Sequence, residues 1–146
     1  MVYLLLKFLH LAAAACFIGG VFFEVMILSR ATHALDASSH ERFAKALSQR
    51  ARQVMHWVVL LLFGAGFGLA WHHRDALHAP LASSFGSLLT LKIILAFSIL
   101  GHFLLFVFLL RRGLVTPQRS RRLHISILLH MLGILLLAKS LFVISW

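Results

Sequence analysis

Residues 85–110 read FGSLLTLKIILAFSILGHFLLFVFLL, and Lys92 is the only Lys, Arg, Asp or Glu among them. As an α-helix this run is about 39 Å long, more than the ~30 Å hydrocarbon core of a bilayer. Residues 2–28, 54–71 and 123–145 are three further apolar runs in a chain of 146 residues. The chain is 61% hydrophobic, with a mean hydropathy of +0.94. A soluble domain this short has too little interior to hide that much apolar surface, so lipid must solvate part of it. No strand-like alternation, repeat or low-complexity tract competes with this reading. The sequence therefore predicts an all-α protein: an integral membrane four-helix bundle forming a single transmembrane domain over residues 1–146.

Charge orients the spans. Fourteen Lys and Arg face four acids, Glu24, Asp36, Glu41 and Asp75, for a formal net charge of +10. The basic residues flank the apolar runs, which suits topology and contact with the lipid bilayer and its anionic headgroups rather than nucleic acid. Residues 29–53 hold Arg30, Arg42, Lys45, Arg50 and Arg52; residues 111–122 hold Arg111, Arg112, Arg119, Arg121 and Arg122; residues 71–84 hold only Arg74. The positive-inside rule then places the first and third connections in the cytoplasm and both termini outside. Cys16 has no second cysteine with which to pair. Ala13-Ala14-Ala15-Cys16 faintly resembles a lipoprotein cleavage site. The apolar run continues past it to Val25, however, so an uncleaved helix with a buried apolar cysteine is expected.

Local signals mark the helix ends. Ser38-x-x-Glu41 fits a capping box, so the second helix starts there and projects from the membrane before entering it. Gly113 suits a helix end, and Thr116-Pro117 suits an N-cap followed by the first helical position. Gly64-x-x-x-Gly68 is a small-residue contact motif. With Gly66 and with Gly101 beside His102, it either packs helices or leaves room for a flat macrocycle.

Polar residues inside the spans require an explanation. Counted at 1.5 Å per residue, His102 lies roughly 12 Å and His130 roughly 10 Å from the cytoplasmic end of their helices, so the two share one level. His56 and Glu24 lie nearer that same surface. His10, Lys92 and Lys139 lie roughly 9–12 Å from the outer surface, with His72, His73 and His78 in the adjoining connection. Helical phase places Lys7, His10 and Glu24 on one stripe. It puts His130 and Lys139 on opposite faces, and Lys92 and His102 about 80° apart.

Two imidazoles on facing helices at one depth suit axial coordination of a b-type haem. Any one of these histidines could instead simply hydrogen-bond to a neighbouring helix. Covalent attachment of a c-type haem is excluded, because Cys-x-x-Cys-His is absent. Copper is the alternative, since Met26, Met55 and Met131 lie near the inner histidines and thioethers suit Cu(I). Met55 and Met131 directly adjoin His56 and His130, however, and so point about 100° away from them. A proton relay or a passive structural subunit would also use these residue types. Hydrolysis and phosphoryl transfer have no catalytic residues here. The candidate ligands are His10, His102 and His130, with His56, Lys92 and Lys139 as further cofactor-binding candidates. One haem b is expected, or two if both levels are filled, together with a redox partner or a second copy of the chain.

The order Lys7-Phe8-Leu9-His10-Leu11-Ala12, then Gly19-Gly20-Val21-Phe22-Phe23, resembles two related groups of small membrane proteins. One is the copper resistance D-like (CopD) family and the other the HemJ-type protoporphyrinogen oxidase family. The likeness runs on through Arg50-x-Arg52-x-x-Met55, residues 64–69, Leu91-Lys92, His102, the basic entry to the fourth span and Lys139. It spans most of the chain. The resemblance implies a four-helix inner-membrane bundle. Its HemJ side implies b-haem on His10, with Lys92 or Lys139 near it, and oxidation of protoporphyrinogen IX. Its CopD side implies copper handling. The chain departs from the HemJ pattern in the fourth span, where an Asn-Glu-x-Pro-like stretch is replaced by Ile127-Leu128-Leu129-His130. This departure counts against the oxidase activity and favours a relative that keeps the scaffold. Of the ligands, spacing favours His102 and His130, and the resemblance favours His10.

Overall fold

The structure, a computed structural model, describes residues 1–141 and 143. The predicted fourth span runs to residue 145, so its last residues fall partly outside the described ones. Helix α1 runs over Val2–Ala31 and α2 over Ala37–His72. A short α3 covers Arg74–His78, α4 covers Ser84–Arg111 and α5 covers Pro117–Ser140. No strand occurs among the described residues. Helices α1, α2, α4 and α5 are long and apolar enough to cross a membrane, as the sequence predicts. The fold is all-α, and the protein is a multi-pass membrane protein.

The chain forms two compact units, Met1–His72 and His73–Trp146. The first is an antiparallel hairpin of α1 and α2. Ala13, Phe17 and Val21 of α1 and Val59 and Ala65 of α2 are its buried apolar residues. Glycines let the two backbones approach. A Cβ on Gly66 would sit 3.0 Å from His10 Cε1, and one on Gly68 would sit 3.0 Å from Leu6 Cδ1. The Met55 methyl occupies the space of a Cβ on Gly20. The predicted Gly64-x-x-x-Gly68 contact is therefore made by Gly66 and Gly68, because Gly64 faces open space. Large apolar side chains such as Phe8, Trp57, Leu60 and Phe67 point outward, as lipid contact requires. Cys16 is also exposed, which corrects the expectation of a buried thiol. Its neighbours Ala13 and Phe17 take the inward positions.

The hairpin departs from the sequence reading at its two ends. Helix α1 does not stop near residue 28. It passes through a π-helical turn, Glu24–Leu28, and continues to Ala31. Helix α2 does project before entering the apolar zone, but its cap is Asp36 rather than Ser38. Asp36 Oδ1 accepts from the Ser39 backbone N–H at 2.9 Å and from the Ser38 hydroxyl at 2.7 Å. Those bonds, the backbone one foremost, hold the Asp36 carboxyl well below the usual carboxylate range.

The second unit pairs α4 and α5, with Ile99, Ile127 and Met131 buried. Ser83 caps α4 by accepting from the Gly86 N–H at 3.1 Å. A Cβ on Gly86 would lie 2.9 Å from the backbone oxygens of both Ala76 and Pro80, so the preceding turn closes tightly over the helix start. At the other end, Gly113 takes φ +68°. Its N–H reaches Leu110 O at 3.2 Å and the Leu114 N–H reaches Leu109 O at 2.9 Å, which together terminate the helix. Thr116 caps α5 by accepting from the Arg119 N–H at 3.2 Å, with Pro117 at the first helical position, as predicted.

Candidate functional site

The best-defined polar cluster lies between α4 and α5. Each helix carries Ser-x-x-x-His: Ser98 and His102 on one, Ser126 and His130 on the other. A spacing of four stacks the two side chains on one helix face. Antiparallel pairing then sets each serine opposite the histidine of the other helix. Ser126 Oγ lies 3.1 Å from His102 Nε2, and Ser98 Oγ lies 3.2 Å from His130 Nε2. Within each helix, His102 Nδ1 lies 2.7 Å from Ser98 O and His130 Nδ1 lies 2.7 Å from Ser126 O.

These contacts assign the protons. A carbonyl only accepts, so in the neutral imidazoles Nδ1 carries the hydrogen in both rings. Nε2 is then the acceptor, and each serine hydroxyl donates to it across the interface. The four residues close a reciprocal loop. Every Nδ1–H ends on a backbone carbonyl that can pass no proton onward, so the loop fastens two helices and offers no through path for a proton. The rings themselves are in contact, with centroids 5.3 Å apart and planes tilted by 50°.

This geometry tests the expected haem pair. Two imidazoles on opposite sides of one iron, each at roughly 2.0–2.1 Å from it, place their ring centroids roughly 6.3 Å apart with a macrocycle between them. The observed rings touch. Each Nε2 also reaches across to the opposite helix, so the two lone pairs pass one another instead of converging. The shared level of His102 and His130 is as the sequence predicts. As they stand, the two Nε2 atoms engage the serines of the opposite helix rather than a common point between the rings. The missed residues are Ser98 and Ser126. Their signal was the repeated Ser-x-x-x-His, which also occurs at Ser29 and His33 and at Ser120 and His124, where His124 Nδ1 lies 2.8 Å from Ser120 O.

His10 stands in the other hairpin. It is partly buried, and its Nδ1 lies 2.9 Å from the Leu62 carbonyl of α2. Nδ1 is therefore the donor in the neutral ring. Ligating histidines are characteristically oriented in this way by a carbonyl behind them. Gly66 supplies the space for the ring. An apolar groove beside it, lined by Leu6, Leu9, Trp57, Leu60, Leu61, Gly64 and Ala65, contains no histidine.

The remaining candidates are dispersed. His56 is exposed and bonds back to Arg52 O at 2.6 Å. Lys92 is partly buried on α4, and Lys139 is exposed on α5. Among the described residues no three of His, Cys, Asp or Glu gather as a metal site. Met55 packs at Gly20 and Met131 is buried, so both thioethers serve helix packing. No family model, curated protein or solved structure matches the chain.

Proposed function

We propose that this is a b-type haem-binding redox protein of a bacterial inner membrane, a CopD/HemJ-like four-helix relative with His10 as its haem ligand. The observation that carries the reading is the contact of His10 Nδ1 with Leu62 O at 2.9 Å, which fixes the orientation of the imidazole between two apolar helices. The same residue is the one that the family resemblance assigns. A b-haem held there supplies one-electron transfer. The chain's own contribution is orientation and basicity: the Leu62 carbonyl polarises the imidazole, and Gly66 lets it approach α2. Lys92 and Lys139, the lysines that the resemblance pairs with the haem, belong to the second hairpin. In this reading both termini are periplasmic, and a bound haem would exchange electrons with a redox partner or a second copy.

The test is the absorption spectrum of protein purified from cells with ample haem supply. A Soret band that sharpens into α and β bands on reduction, and that His10→Ala removes, supports the proposal. A colourless wild-type protein overturns it, and copper found in that same sample would favour copper handling without haem. A spectrum that survives His10→Ala leaves the haem and moves the ligand.

A further inference from the structure

The turn between α4 and α5 carries five arginines, Arg111, Arg112, Arg119, Arg121 and Arg122, with no lysine and no acid among residues 111–122. All five are exposed. Asp75 is the one Asp or Glu of the unit His73–Trp146. It precedes α4, a helix about 42 Å long that separates it from the turn, and it pairs with Arg74 at 4.0 Å. Membrane topology asks only for positive charge, which lysine supplies equally. The connection over residues 29–53 shows this, mixing Lys45, Asp36 and Glu41 with its arginines. Arginine differs in its planar fork of donors, which grips a phosphate through two hydrogen bonds at once.

The Ser–His contacts fix where these arginines stand. Ser98 with His130 and His102 with Ser126 set the antiparallel register, which puts Arg119 level with Leu109 and Arg122 level with Phe106. Helical phase counted from the same residues puts Arg119 on the line along which the helices face each other. Arg112 and Arg122 lie about 60° from that line, both on the same flank. Arg111 and Arg121 lie about 160° from it, on the backs of the two helices. Three guanidinium-bearing residues thus gather on one flank over about 9 Å of the axis. Two of them are held. Arg119 Nη1 donates to Leu114 O at 3.1 Å, and the Arg112 guanidinium lies over the Phe108 ring, 5.3 Å from its centroid. The Gly113 and Thr116 caps fix the turn beneath them. Helix α5 also starts here, and the N–H of Gln118 in its first turn has no intrahelical acceptor.

Depth selects the ligand. Arg119 and Arg122 stand beside the last apolar turn of α4, and Arg112 is two residues beyond Leu110. The group therefore straddles the boundary between hydrocarbon and the headgroup layer, which is about 5–7 Å deep. Guanidinium groups at that level meet lipid phosphates first, whereas the carboxylates of a partner protein would have to enter the headgroup layer. We infer that this flank of the α4–α5 hairpin is a discrete site for the phosphate of one anionic phospholipid, held by Arg112, Arg119 and Arg122. Arg111 and Arg121 contribute only the general attraction of a basic turn. The inference is independent of the haem reading.

The experiment titrates the full chain, in a non-ionic detergent, with phosphatidylglycerol or phosphatidylcholine and reads lipid adducts by native mass spectrometry. Phosphatidylglycerol should give a saturable one-lipid adduct, at least about tenfold stronger than phosphatidylcholine gives. Arg112→Lys/Arg122→Lys keeps the charge and should weaken that adduct at least about tenfold, because lysine is a point charge without the fork. Arg111→Lys/Arg121→Lys changes the adjacent residues on the helix backs and should stay within about twofold of the unaltered protein. Circular dichroism should be the same for all three proteins. Equal effects of the two variants, or none from either, would overturn the inference, since the attraction would then be diffuse charge. Inorganic phosphate that binds the lipid-free protein at millimolar concentration, with the same dependence on Arg112 and Arg122, would overturn it in favour of a dissolved anion. A Glu-rich peptide that binds with that dependence would overturn it in favour of a protein partner.

Discussion

Replacing Ser126 with alanine removes the hydroxyl that donates to His102 Nε2 across 3.1 Å, and leaves the ring with its Nδ1 bond to Ser98 O. The helix face, the backbone carbonyl that His130 uses and the buried Ile127 beside it are all retained. The loss is therefore close to one interhelical hydrogen bond. In membrane proteins such bonds average about 0.6 kcal/mol, with a maximum near 1.7 kcal/mol. We expect Ser126→Ala to cost about 0.6–1.7 kcal/mol, and Ser98→Ala about the same by the reciprocity of the loop. The assay is reversible unfolding in mixed micelles, followed by circular dichroism and arranged as two double-mutant cycles. Ser126→Ala with His102→Leu should show a coupling of that size. Ser126→Ala with His130→Leu should couple by less than about 0.5 kcal/mol, since His130 needs only the Ser126 carbonyl. Nitrogen NMR should find both rings as Nδ1–H tautomers, with the His102 Nε2 signal moving in Ser126→Ala. Equal coupling in the two cycles, or Nε2–H tautomers, would refute the reciprocal loop.

Three further outcomes follow from contacts elsewhere. Gly66→Ala puts a methyl 3.0 Å from His10 Cε1 and should cost about 1–3 kcal/mol while displacing the ring, whereas Gly64→Ala meets nothing and should be near neutral in the same unfolding assay. Gly86→Ala pushes against two backbone oxygens at 2.9 Å, which cannot rotate aside, and should destabilise by a similar 1–3 kcal/mol or more. The depressed Asp36 carboxyl sets a pH dependence for the start of α2. Its capping contribution is fully present above the ordinary carboxylate range and is lost only as pH falls through the lower folded value. Amide exchange at Ser39, after correction for intrinsic rates, should therefore show unchanged protection between pH 7 and pH 5. Protection that fades across that interval would contradict the cap.

Much of this molecule is legible in one dimension. Apolar run length decides which segments can span a bilayer, because every backbone group in lipid must be satisfied within a helix. The ends marked by Gly113 and Thr116-Pro117 were equally readable, since capping depends on neighbours a few residues away. Depth was readable too: a constant rise per residue puts His102 and His130 on one level, and their rings do meet. Other ends were misread because two local solutions competed. Asp36 and Ser38 are both good caps, and Asp36 takes the Ser39 N–H while Ser38 donates to it.

What the sequence alone could not decide is what each polar side chain faces. Rise gives depth, but facing depends on how two helices cross and which small residues let them close. Gly66 rather than Gly64 receives His10, because α1 passes over that side of α2. The same crossing logic places His102 and His130 in a Ser–His loop. Two serines that look unremarkable along the chain become the hydrogen-bond donors that engage both Nε2 atoms once α4 and α5 lie antiparallel. Composition and periodicity determine that four helices enter the membrane, whereas the azimuth and register between neighbours, set by packing, determine which histidine can present a lone pair to a ligand.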